Sequence, residues 1–127
     1  QEYLHIRKYF SFQKKRRSKI NNKQAINRLV KHLEWGWSEE TVDAIGMGIH
    51  ALKETQWIPI SERLPEDESY ILVSFKNSTM PDIARYEENG GGGTFYPGDD
   101  EKPYSSYGIF VNAWMPLPKL YREEEWL

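Results

Sequence analysis

The feature that most constrains this 127-residue chain is a β-rich segment bracketed at both ends by tryptophan and proline: "WIPISERLPEDESYILVSF" at 57–75 and "NAWMPLP" at 112–118. Proline has no amide hydrogen to give to a sheet, so Pro59 and Pro116 confine their strands to an edge or to a strand end. The adjacent Trp57 and Trp114 are then expected to fold over the exposed sheet edge as large apolar plugs. Between the brackets, "YILVSF" is rich in β-branched and aromatic residues and reads as a strand. "DIARYEE" alternates Ile83, Arg85 and Glu87 on one face with Ala84, Tyr86 and Glu88 on the other, the pattern of a half-buried strand. In "NGGGGTFYPGDDEKPYSS" four consecutive glycines and two prolines predict a long mobile hairpin loop with a short strand at Phe95. "YGIFVNAW" is the closing strand.

Upstream of the sheet the period changes to that of a helix. Ile26, Leu29, Val30 and Leu33 share one helical face behind an N-cap at Asn21 or Asn22, and Gly36 breaks the run. A second helix restarts at Ser38, with Glu39 and Glu40 where the helix dipole favours acids and Val42, Ile45, Ile49 and Leu52 as its apolar stripe. Gly46 and Gly48 inside it each cost up to about 1 kcal/mol against alanine, which predicts close approach of another element. The two helices are expected to pack antiparallel. Over Tyr3 to Phe12, apolar and charged residues interleave in a way that fits strand and helix equally.

The fold expected is α+β: an N-terminal helical hairpin packed on a small, mainly antiparallel four- to five-stranded sheet. The expected divisions are a basic arm at 1–20, the hairpin at 21–56, the β-rich region at 57–118 and an acidic tail at 119–127. A chain of this length supports one core. Aromatic residues make up 14% of it while its mean hydropathy is −0.76, so a few large side chains must build that core inside a polar shell.

The same bracket carries a family resemblance. "WIPISERLPEDESYILVSF", a variable middle and "NAWMPLP" resemble the domain of unknown function 551 family, whose pattern runs Trp-Ile, Glu-Arg-Leu-Pro, a Val-Leu-Val strand and a closing Trp-Met-Pro-Leu-Pro. The helix "TVDAIGMGIHALKETQ" is similar to a segment that often precedes this domain in small phage and prophage proteins. The resemblance implies a phage accessory origin and no particular chemistry. The basic amino terminus and the glycine-rich middle depart from the family pattern.

Several classes of chemistry have no foothold. The chain has no cysteine, which removes disulfides and thiol nucleophiles and fits a reducing cytoplasm, the host cytosol for a phage-encoded protein. His5, His32 and His50 lack metal-ligand spacing, no nucleophile elbow occurs, and Gly90–Gly93 lacks the Gly-Lys-Ser/Thr ending of a phosphate loop. No apolar run is long enough to span a membrane. The expectation is a non-enzymatic protein without cofactor or metal.

Binding has better ingredients. Trp35 and Trp37 flank a glycine between the helices, Tyr86, Phe95, Tyr96, Tyr104 and Tyr107 cluster around the glycine-rich stretch, and Arg63 and Arg85 are near in sequence. Aromatic faces with arginine suit a flat phosphorylated ligand, because bases stack on rings and guanidinium pairs bidentately with phosphate. The expected function is therefore binding and sequestration of a nucleotide-derived host signal, by a protein that forms a homo-oligomer. The alternative is inhibition of a host defence or transcription protein through the same residue types, which dominate interface hot spots. A third reading uses the first twenty residues. Arg7, Lys8, Lys14, Lys15, Arg16, Arg17 and Lys19 stand there against Glu2 alone, a net +6 that leaves −8 for the remainder of a chain whose overall charge is −2. Lys14, Lys15, Arg16 and Arg17 are its candidate nucleic-acid contacts.

Overall fold

The computed structural model describes residues 19–126. The expectations for residues 3–12, His5 and the Lys14–Arg17 run lie outside the described residues. The chain divides into two compact units, residues 1–53 and 54–127. Among the described residues the secondary structure is α+β: two α-helices followed by a five-stranded antiparallel sheet.

In the first unit, α1 (Asn22–His32) begins at a reciprocal cap in which Asn21 Oδ1 accepts from the Gln24 amide at 2.9 Å and Gln24 Oε1 accepts from the Asn21 amide at 3.0 Å. This satisfies two donors that a helix start otherwise leaves open. A short 3-10 turn (Leu33–Trp35) follows, and Gly36 ends it in the left-handed region at φ 75°. There a side chain would be strained. α2 (Glu39–Glu54) is capped by Ser38, whose Oγ accepts from the Thr41 amide at 3.4 Å. Asn22 Nδ2 donates to the carbonyl of Leu52 at 3.1 Å, so the start of α1 meets the end of α2 and the pair is antiparallel. Ile49 is buried. Gly46 and Gly48 do not mark a close approach, since no described atom lies within 4 Å of where their Cβ atoms would stand.

In the second unit the strands are β1 (Ile58–Pro59), β2 (Ser69–Phe75), β3 (Asp82–Asn89), β4 (Gly92–Pro97) and β5 (Val111–Pro116), in the spatial order β1-β5-β2-β3-β4. Every pairing is antiparallel. Period-two alternation places Ile71, Val73, Phe75, Ala84 and Tyr86 on one buried face, and a register shift against β2 at Ser74/Phe75 brings Val111 and Trp114, three residues apart on β5, to the same cluster with Tyr104; Ile58, Ile60, Phe95 and Ile109 pack against it. The alternation read in β3 holds, with Ala84 and Tyr86 inward. Pro59 lies on an edge strand and Pro116 at the end of β5, as proline requires.

The plug expectation needs correcting. Trp114 is a core residue at 7% exposure, whereas Trp57 is 43% exposed. Register gives the reason: Ile58 is the partner of Trp114 across β1 and β5, so Ile58 takes the inward position and Trp57 stands one residue before the strand.

The glycine run is not a long loop either. β3 and β4 pair through Asn89 and Gly92, so Gly90 and Gly91 alone form the turn, with Gly91 at φ 122°. Gly93 lies in the strand with the side chain of Tyr86 over it: a Cβ there would fall within 2.2 Å of the Tyr86 hydroxyl oxygen and two of its ring carbons. An aromatic side chain covering a strand glycine restores the packing that the missing side chain forgoes.

Candidate functional site

The segment that joins β1 to β2 is tied down at several points. The amides of Glu62 and Arg63 donate to the carbonyl of Pro59 at 3.0 and 3.2 Å, and Trp114 Nε1 donates to the carbonyl of Arg63 at 2.8 Å. Ser69 Oγ donates to the Glu66 carbonyl at 2.6 Å, and Asp67 Oδ1 accepts from the Glu88 amide at 2.8 Å. Pro65 is buried. Between this segment, the start of β2 and the end of β5 lies a groove of about 640 Å³ with Leu64, Ile71, Trp114, Pro116 and Leu117 as its apolar surface and Arg63, Glu66, Ser69 and Tyr70 as its polar groups. The Arg63 guanidinium carbon sits 5.3 Å from the centre of the Trp114 ring, a cation–π contact. Arg63 makes no ion pair among the described residues.

A second cluster organises the residues after β4. Arg85 and Tyr96 are register partners on β3 and β4, and the guanidinium carbon lies 4.5 Å over the Tyr96 ring. From there Arg85 donates to the carbonyls of Gly98 at 2.7 Å and Asp100 at 3.1 Å, and to Glu87 Oε1 at 3.2 Å. Three tyrosine hydroxyls donate to aspartates: Tyr70 to Asp99 at 2.5 Å, Tyr107 to Asp100 at 2.8 Å and Tyr104 to Asp82 at 2.7 Å. The hydrogen bond to Asp99 raises the Tyr70 pKa above the usual phenol value. For Tyr107 the bond to Asp100 does the same. For Tyr104 the first cause is burial, followed by the bond to Asp82. Asp100 is held below the usual carboxylate range by the Lys102 amide and then by the Tyr107 hydroxyl.

The residues named from sequence thus divide. Arg63 faces the groove. Arg85 and Tyr96 meet, but the guanidinium is committed to its own chain. Tyr86, at 1% exposure, and Tyr104 are core residues with no face to offer a ligand, and Phe95 is half-buried against Tyr86 with ring centres 5.0 Å apart. Tyr107 is exposed and anchors the segment through Asp100. Trp35 and Trp37 lie together in the helical unit, their ring centres 6.4 Å apart. Leu64, Glu66, Tyr70 and Leu117 escaped the sequence reading. Their signal was the pair of end motifs, which read as strand terminators when they also build a groove. No group of three or more His, Asp or Glu side chains is placed to hold a metal ion among the described residues. No helix among them is long and apolar enough to cross a membrane.

Comparison with curated proteins and with solved structures returned no match. The family model described as "Protein of unknown function (DUF551)" matches residues 56–119, which span the whole sheet and every residue of the groove, and the chain belongs to that family.

Proposed function

We propose that this protein is a non-enzymatic recognition domain whose groove takes an extended segment of a partner protein, one that presents a bulky apolar side chain beside a carboxylate. The observation that carries this reading is Arg63, exposed and without an ion pair among the described residues, lying over Trp114 at the mouth of an apolar groove. An arginine on an aromatic face is pre-ordered, so it meets a carboxylate with little further loss of freedom. Leu64, Pro116 and Leu117 supply the apolar contact that gives such a carboxylate its anchor. With no cysteine in the chain, we place this activity in the cytoplasm.

Geometry favours this over a nucleotide-type ligand. Arg63 is the groove's single cation and Glu66 shares its lining, which is poor provision for a compact polyphosphate. Arg85, the other arginine expected at such a site, spends its donors on two backbone carbonyls and Glu87.

Panning a random peptide library against the intact chain tests the reading. The expected outcome is an enriched pattern with an acid next to a large apolar residue, lost for Arg63→Ala and for Leu117→Asp. In parallel, cyclic dinucleotides and mononucleotides are screened by thermal shift. Enrichment without an acid, or a nucleotide-induced shift that survives Arg63→Ala, overturns it.

A further inference from the structure

Three aromatic rings meet where α1 ends and the turn to α2 begins. His32 lies 5.0 Å from Trp35 and 4.9 Å from Trp37, tilted 33° and 30° to them, while the two indoles are within 5° of parallel. The arrangement is held by backbone. Gly36 takes the left-handed conformation that turns the chain between the tryptophans, and Trp37 Nε1 donates to the carbonyl of His32 at 2.6 Å. Yet Trp35 is 73% exposed and Trp37 40%. Locked indoles facing water offer a flat surface with negative potential on its face.

Lys31 precedes His32 at the end of α1, but from there on the sequence is acidic. Between His32 and Leu52 the chain carries Glu34, Glu39, Glu40 and Asp43 and neither lysine nor arginine. Glu34 adjoins Trp35, Glu39 and Glu40 follow Trp37 by two and three residues, and all three are exposed. An indole face attracts cations, and guanidinium stacks on it better than ammonium because it is planar and more weakly hydrated. A phosphorylated base gains the same stacking but brings its anion towards four carboxylates.

We propose that Trp35 and Trp37 form a stacking platform for the arginine side chains of a basic peptide belonging to a partner protein, with Glu39 and Glu40 supplying the counter-charge. This is independent of the groove and stands or falls separately from it.

The chain has five tryptophans, so its indole N–H resonances can be followed one by one in a 15N-labelled sample. The intact chain is titrated with a capped peptide carrying two arginines, with its lysine and glutamate analogues, and with AMP. The arginine peptide is expected to move the Trp35 and Trp37 resonances most, the lysine analogue less and the glutamate analogue not at all. Binding is expected to weaken several-fold at high salt and in the double variant Glu39→Gln, Glu40→Gln, and to vanish in Trp35→Ala. Trp35 carries no core packing, and the unchanged resonance of Trp114 reports that the sheet unit is intact. An AMP response equal to that of the arginine peptide, or no response at Trp35, overturns the proposal. So does movement of the Trp35 resonance when Lys14, Lys15, Arg16 and Arg17 are replaced by alanine without added peptide, because the occupant is then this chain's own basic run.

Discussion

Arg85 on β3 and Tyr96 on β4 are cross-strand partners, and the guanidinium that lies 4.5 Å over the phenol ring continues past it to the carbonyls of Gly98 and Asp100. One side chain therefore joins a strand pair to the segment that leaves it. Arg85→Ala is expected to destabilise the sheet unit by about 1 to 3 kcal/mol, the range for removing a charged donor from half-buried acceptors. Amide exchange should quicken from Gly98 to Tyr107 before it does elsewhere. Arg85→Lys should recover only part of this, since an ammonium does not span two carbonyls as a planar fork does. Unchanged stability in Arg85→Ala would mean that these bonds hold nothing.

The two bracketing tryptophans should respond unequally. Trp114→Ala removes a core indole and the donor to Arg63, and is expected to cost about 3 to 5 kcal/mol, enough to unfold a marginal domain. Trp57→Ala, at a residue 43% exposed, is expected to cost about 1 kcal/mol or less. Urea denaturation of the two variants gives the comparison, and equal losses would contradict the register of β1 against β5.

The Tyr86 hydroxyl is buried and has no hydrogen-bond partner among the described residues. Such a group keeps its desolvation penalty, so Tyr86→Phe should stabilise the protein by about 1 kcal/mol while leaving the ring over Gly93 in place. A loss of stability would instead reveal a partner for the hydroxyl.

High pH should loosen the sheet unit. Tyr70, Tyr86, Tyr104 and Tyr107 all hold their protons more tightly in the folded chain than an ordinary phenol does. A raised pKa gives stability that is complete below the unfolded value of about 10 and is lost as pH climbs towards the folded value. Chemical denaturation between pH 8 and 12 should therefore show stability falling above about pH 10. Tyr104→Phe should flatten part of that fall. Asp100 works in the opposite sense: its lowered pKa contributes above the ordinary carboxylate value and is lost as pH drops through the folded one.

Periodicity made most of the architecture legible. The two helices, the inward Ile49, Ala84 and Tyr86, and the two prolines each follow from a local rule, whereas Val30 and Val42, expected on the apolar stripes, are exposed. What escaped depends on pairing between distant residues. A run of four glycines normally marks a loop, and only the Tyr86 ring, seven residues away, explains why Gly93 belongs to a strand. Which of Trp57 and Ile58 faces inward rests on a register that neither residue encodes. The groove was half visible through Arg63, but its floor comes from both ends of the bracket, and Trp114 reaches back 51 positions to the Arg63 carbonyl. The tyrosines that are close in sequence part for a related reason: they are shared out between the core and aspartate anchors.

The ring of Tyr86 over the bare backbone of Gly93 bears on how this sheet evolves. A first methyl group at position 93 would collide with the hydroxyl end of that ring, so position 93 cannot drift alone. Any lineage that gains a side chain at 93 must already have shrunk or re-aimed the residue at 86, and until then most of the substitutions open to a strand residue are closed at 93. Related sequences should show the two positions changing together, large beside glycine or small beside large, as neighbours in space do.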